Sequence, residues 1–254
     1  MPHHELWLTS AVNAALGPLA VAILRLFGRP VPDPSRVIPD YLAMIMFLIV
    51  VLTAFALFVR SRLSVENPGH LQVLLEDFVG AFNSLADDWI GPGGRPYVPL
   101  VATIFTFILL CNLSGLVPGL MAPTTNLNVT LGCAITVWVF YHIEGIRAQG
   151  VVSYLKHFVM PPGVPVFLAP IMLIIEPISH AARLLSLTLR LFGNLFGEEL
   201  VVAILASLVP FVVPLPLMAL GLVTSFLQAL IFAILTMVYL QGAITLDHGD
   251  EAHH

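Results

Sequence analysis

The sequence predicts an all-α integral membrane protein with about five membrane-embedded helices, some of them long, strongly tilted or horizontal hairpin helices. Three observations predict it. The 254-residue chain is 58% hydrophobic and only 10% charged, whereas soluble domains carry about a quarter charged residues. Its mean hydropathy is +0.96. Its apolar residues gather in runs long enough to cross a hydrocarbon core of ~30 Å, which takes ~20 residues of helix. We read residues 1–254 as one membrane domain, with an apolar or interfacial segment at 1–40, membrane helices over 41–240 and an acidic, histidine-containing tail at 241–254.

The elements follow in order. Trp7–Gly28 is an apolar helix that lies on the membrane surface or dips into it. Leu42–Val59 is an uncharged run closed by Arg60 and Arg62, and forms the first crossing. Glu66–Ile90 repeats apolar residues near i, i+3 and i+4 with acids between, the pattern of an interfacial amphipathic helix. The turn "DWIGPGGRPYVP" leads to a second crossing, Val98–Leu120. Val129–Tyr141, extending toward Ile146, is the third. Val164–Leu208 is too long for one crossing. It is therefore expected to double back within the membrane; prolines at 161, 162, 165 and 170 break up its start, and those at 210, 214 and 216 break its junction to the last segment. Leu215–Leu240 is the last crossing.

Charge and motifs exclude several functions. A net charge of −5 gives no electrostatic footprint for nucleic acid. Cys111 and Cys133 sit in apolar runs and read as small core residues. No Gly-rich phosphate loop exists, so no nucleotide or other cofactor is expected. His142, Glu144 and His157 read as loop surface. His3, His4, His248, His253 and His254 read as solvated tails, and no metal is expected. Asn112 and Asn128 begin glycosylation triplets, but in or beside membrane segments. The start, "MPHHELWLTS", lacks a basic region before its apolar stretch, so no cleaved signal is expected. Arg60, Arg62 and Arg95 in one loop, with Arg147 and Lys156 in another, favour the cytoplasm for both. The Pro118–Asn128 loop carries no basic residue and lies outside, as does the N-terminus. The C-terminus is then cytoplasmic. Arg25, Arg29 and Arg36 oppose this orientation.

The informative stretch is "LLSLTLRLFGNLFGEELVVAIL", Leu184–Leu205. On a helix of about 100° per residue, Glu176, Ser179, His180, Arg183, Ser186, Asn194, Gly197 and Glu198 share with Arg190 a face about 120° wide. Glu199 falls on the opposite face. A charge at the bilayer centre costs at least ~3 kcal/mol, so these residues face a protein partner or a water-filled path. Two readings stay open. Arg183 and Arg190 pair with Glu176 and Glu198 as structural ion pairs, or the stripe handles ions. Carboxylates and histidine exchange protons; arginine does not.

"SLTLRLFGNLFGEEL" (Ser186–Leu200) resembles the signature of subunit a of the rotary F-type ATP synthase. "NLNVTL" (Asn126–Leu131) and "FLQALIFAILTMVYL" (Phe226–Leu240) resemble that family's other two recognisable stretches, in the same order. The resemblance implies a membrane stator beside a rotor ring of c subunits, each with a buried carboxylate. It implies a b-type peripheral stalk, the rest of the ATP synthase and a bacterial inner membrane. Two offset half-channels would bring protons to and from the ring. Arg190 would attract the ionised ring carboxylate and separate the channels. The resemblance implies channel-lining roles for Glu199, Asn194, Gln228, Glu176 and Ser186. To these we add Glu198, His180, Arg183, Asn126 and Asn128 as candidates. The chain departs from the family at Gly221, where many members carry histidine or a carboxylate, and at Gly115, which is acidic in some. Either Glu198 or water would fill the space at Gly221. The competing classes are a stand-alone secondary transporter or channel, and a structural membrane protein with buried ion pairs. No internal repeat supports the transporter.

Overall fold

The computed structural model describes residues 7–28, 37–117, 119–159, 169–208 and 214–244. The histidines of both tails, Arg29, Arg36, Pro118, Pro161, Pro162, Pro165 and Pro210 lie outside them, as do the side chains of Lys156 and His157. Eight α-helices occur among the described residues, and no strand. They are α1 (Trp7–Leu26), α2 (Asp40–Arg62), α3 (His70–Trp89), α4 (Val98–Ser114), α5 (Leu127–Gln149), α6 (Val151–Val159), α7 (Ala169–Leu208) and α8 (Pro214–Ile244). Helices α1, α2, α4, α5 and α8 are long and apolar enough to cross a membrane. The protein is an all-α, multi-span membrane protein.

Sequence dictates these helices simply. In α2, Asp40 stands in the first turn and Arg60 and Arg62 in the last, each opposite in sign to the helix dipole at its end. Between them an uncharged, largely apolar surface suits lipid: Leu57 and Phe58 are more than half exposed. Threonines within the spans hide their hydroxyls on their own helix. Thr53 donates to Ile49 O, Thr103 to Pro99 O and Thr136 to Gly132 O, all within 2.9 Å. Such back-bonding removes a donor that hydrocarbon would leave unpaired.

One expectation is corrected. Over the described part of Val164–Leu208 the predicted reversal is absent. Residues 169–208 form one 40-residue helix, with Pro177 inside it. Pro170 is its second residue, where no intrahelical N–H bond is needed. Pro214 and Pro216 open α8 for the same reason. Pro170, Pro214 and Pro216 therefore mark helix starts, not a reversal inside α7. The second crossing also ends earlier than predicted, at Ser114 instead of Leu120. The chain turns there through Gly115 and Gly119, the latter at φ 89°, and a Cβ at Gly115 would press on Ala122 at 2.9 Å.

The chain forms two compact units, each assembled from separated segments. The first comprises Met1–Val73, Phe107–Asn126 and Leu195–Ser225. Its core holds Leu8, Met44, Leu48 and Cys111, with Phe47, Phe107 and Leu120 packed around them. Asn13 ties α1 to the start of α2: its amide accepts from Ile38 N at 2.9 Å and donates to Ile38 O at 3.0 Å.

The second unit comprises Leu74–Thr106, Leu127–Asn194 and Phe226–His254. An aromatic chain, Phe78–Phe82–Phe105–Phe226, joins α3, α4 and α8 with successive ring centroids 4.9, 5.2 and 5.8 Å apart. Arg95 closes the α3–α4 turn on Asp87 at 2.9 Å. Helix α6 follows α5 after Gly150, at φ 81°, and Gln149 Nε2 donates to Ala243 O at 2.8 Å near the end of α8.

Candidate functional site

Helix α7 carries the candidates because its apolar spacing leaves one side free for polar residues. In the second unit Leu187 and Leu191 are buried, whereas Ser186, Leu189 and Arg190 are exposed. Among the described residues no carboxylate forms an ion pair with Arg190. The structural-pair alternative does not hold for Arg183 either: its guanidinium lies over the Tyr239 ring, 5.4 Å from the centroid.

Beside Arg190 the second unit builds a short polar ladder. Asn194 donates through Nδ2 to Gln228 Oε1 at 2.7 Å. Gln228 is buried, and its Nε2 has no partner among the described residues. One turn contains one rung, α7 to α8, with an amide donor left over.

A second cluster in this unit lies toward the start of α7. Glu176 Oε1 stands 3.6 Å from His180 Nε2. The other ring nitrogen, Nδ1, bonds the Tyr141 hydroxyl at 2.7 Å. His180 and Tyr141 are both buried, and their rings stack 22° from parallel. His142 packs against His180 with centroids 4.9 Å apart. Ser179 is half-buried nearby in sequence, and Thr188, on the far side of the stripe, is buried and bonded to Leu184 O.

The first unit builds a different cluster. Glu198 accepts from Thr224 Oγ1 through Oε2 at 2.9 Å. Its other oxygen occupies the space above Gly221, where an added Cβ would overlap it. The carboxylate, not open space, thus answers the departure at 221. On the same helix Ser225 O receives Asn112 Nδ2 at 3.5 Å, and Asn112 Oδ1 accepts from Thr124 at 2.9 Å. Asn112, Thr124 and Ser225 are all buried. Glu199 is exposed. Asn126 and Asn128 flank the first residue of α5, the former half-buried and the latter exposed.

The ATP synthase A chain family matches residues 41–241. The chain belongs to that family. Its members are subunit a of the ATP synthase membrane sector, so this chain is a component of such a complex. It is 46% identical over 207 residues to "ATP synthase subunit a 3" of Pelobacter propionicus, covering 82% of this chain and 86% of the relative. Against "ATP synthase subunit a" of Geotalea daltonii it is 46% identical over 181 residues, 71% of this chain and 77% of the relative. With "ATP synthase subunit a" of Koribacter versatilis it shares 38% over 248 residues, 98% of this chain and all of the relative. The family match takes in every polar cluster above.

Three contributors escaped the sequence reading. Thr224 and Thr124 look like ordinary helix and turn threonines until their partners are placed. Tyr141 ends the apolar run "TVWVFY" and reads there as packing. Its one signal was a hydroxyl at the edge of a membrane run, directly before His142.

Proposed function

We propose that this chain is the proton-translocating stator of a rotary ATP synthase. Arg190 serves as the fixed positive charge that meets ionised carboxylates of a c-subunit ring. The observation that carries this reading is the state of Arg190: exposed, set between Leu189 and Leu191 on α7, and unpaired with any described carboxylate. A permanent charge in oil is tolerable where its counter-ion arrives on another subunit.

The two carboxylate clusters supply two half-channels. Glu198, with Thr224 as donor, and Glu199 line one, with Asn126 at its outer mouth. Glu176, His180, Arg183 and Ser186 line the other. Asn194 and Gln228 position the polar rung beside Arg190. A proton neutralises a ring carboxylate from one side, rides the ring, and leaves by the other. Arg190 blocks a direct route because guanidinium neither accepts nor releases protons at working pH. The driving force is ~2.3 kcal/mol per charge per 100 mV, plus the pH gradient. Nucleotide chemistry belongs to other subunits, a b-type stalk holds the stator, and the complex sits in a bacterial plasma membrane with the N-terminus of this chain outside.

The test is Arg190→Ala in membranes, with assembly verified. ATP synthesis and ATP-driven proton pumping should both be abolished in an intact complex. Normal coupling would refute the reading.

A further inference from the structure

We propose that His180 is a proton-loading residue of the path on its side of the protein, and that Tyr141 is the positioning residue that lets it load. The inference rests on the stator reading and extends it to Tyr141, which neither the stripe on α7 nor the family stretches include. Its basis is geometric. His180 is buried, one ring nitrogen lies 2.7 Å from the Tyr141 hydroxyl, and the other faces the Glu176 carboxylate at 3.6 Å. Both nitrogens therefore have partners in opposite directions.

The groups around this histidine come from every neighbouring helix of the unit. Tyr141 and His142 project from α5, and Tyr154 of α6 lies behind His142 with ring centroids 6.0 Å apart. Glu176 and Arg183 belong to α7. Tyr239 of α8 lies beneath the Arg183 guanidinium and 6.2 Å from the Tyr141 ring. Arg183 is thus held on an aromatic face, which leaves Glu176 to His180.

The chemistry needs one proton and no other reactant. In the empty state His180 is neutral, its hydrogen sits on Nε2 toward the carboxylate, and Nδ1 accepts from the phenol. In the loaded state a proton from the water path has joined Nδ1. The imidazolium then donates through Nδ1 to the Tyr141 oxygen and through Nε2 toward Glu176. The phenol turns from donor to acceptor, a change that a hydroxyl allows and an amide N–H or an ammonium does not. Unloading reverses these steps and returns the proton to water. Loading pairs the half-buried Glu176 carboxylate with an imidazolium, and partial burial favours the pair over the isolated charge.

The phenol contributes more to the loaded state, because hydrogen bonds to an ionised partner are roughly twice as strong as neutral ones. Tyr141→Phe keeps the stacked ring and deletes only this term. The complex carrying it should assemble normally. Passive proton conduction through the membrane sector, measured in vesicles stripped of the catalytic head, should fall by roughly tenfold, the lower end of the cost of removing the orienting partner of a metal-bound histidine. The pH midpoint of conduction should also move to more acidic values, since loading now needs a higher proton concentration. His180→Gln, which hydrogen-bonds but cannot titrate, should abolish that pH dependence altogether. A purely structural role for Tyr141 would change the amount of complex and leave the pH midpoint where it was.

An assembled Tyr141→Phe complex with parental conduction and a parental pH midpoint would overturn the proposal, and it decides the matter even if His180→Gln fails to assemble. Arg190→Ala in the same membranes separates the two readings. If that variant uncouples while Tyr141→Phe is unchanged, the stator reading stands and the loading site falls.

Discussion

Glu198 occupies the space that Gly221 leaves open: a Cβ at 221 would overlap one oxygen of the carboxylate, while Thr224 bonds the other at 2.9 Å. The two positions are therefore coupled by volume. Gly221→Ala should destabilise the protein by about 1–3 kcal/mol, the usual cost of overpacking. Glu198→Ala should recover most of that loss in the double variant, a non-additivity expected only of residues in contact. Thermal unfolding of the detergent-solubilised complex measures all three. Strict additivity would mean that the carboxylate does not sit above the glycine.

Asn13 makes a prediction about the N-terminal helix. Its amide satisfies both backbone groups of Ile38, in the segment that enters α2. Asn13→Leu leaves a buried N–H and C=O without partners, at about 1–3 kcal/mol each. Limited proteolysis should then cut between α1 and α2 at a protease level that spares the parent. An unchanged digestion pattern would show that water replaces the amide.

Gly145 sets how closely α5 meets its neighbours. A Cβ there would stand 2.6 Å from the Tyr154 ring and 3.2 Å from Ala243 Cβ. Gly145→Ala should force Tyr154 off its site and loosen the Gln149–Ala243 contact beside it. We expect about 1–3 kcal/mol of lost stability, recovered in part by Tyr154→Ala in the same chain. Heat-induced aggregation of the solubilised complex gives the comparison. Indifference to Gly145→Ala would show that the ring moves without cost.

The crossing helices were legible because lipid demands long apolar runs, and α2, α4, α5 and α8 fall on the runs marked in the sequence. Arg190 and Asn194 stood out as polar groups in an apolar run, Gln228 came from the family resemblance, and the Asn194–Gln228 bond joins two of them. The length of α7 was not legible. A run too long for one crossing suggested a reversal between its flanking prolines, but a proline in the first turn lacks only a bond the helix does not make. Tyr141 and Thr224 were invisible for another reason. Their partners stand 39 and 26 residues away, and spacing rules on a single helix cannot reach across to a second one.

Arg190→Lys tests whether the proposed separator needs a guanidinium or only a charge. Both side chains are cationic, so a reading in which any positive charge suffices expects near-normal ATP synthesis. Three physical differences argue otherwise. Guanidinium presents a planar fork to a carboxylate, whereas ammonium is a compact point charge. Guanidinium holds its proton under all working conditions, whereas a desolvated lysine releases its own. A lysine that turns neutral no longer repels protons and becomes a step on the path it should block. Synthesis should therefore fall by about two orders of magnitude, the scale for losing one preorganised electrostatic contact. The proton leak of Arg190→Lys vesicles should rise with pH as the amine deprotonates, whereas Arg190→Ala should leak at every pH. Measuring leak against pH in both variants, with assembly verified, gives a signed comparison. A lysine variant that synthesises ATP at the parental rate would show that the position needs only a charge.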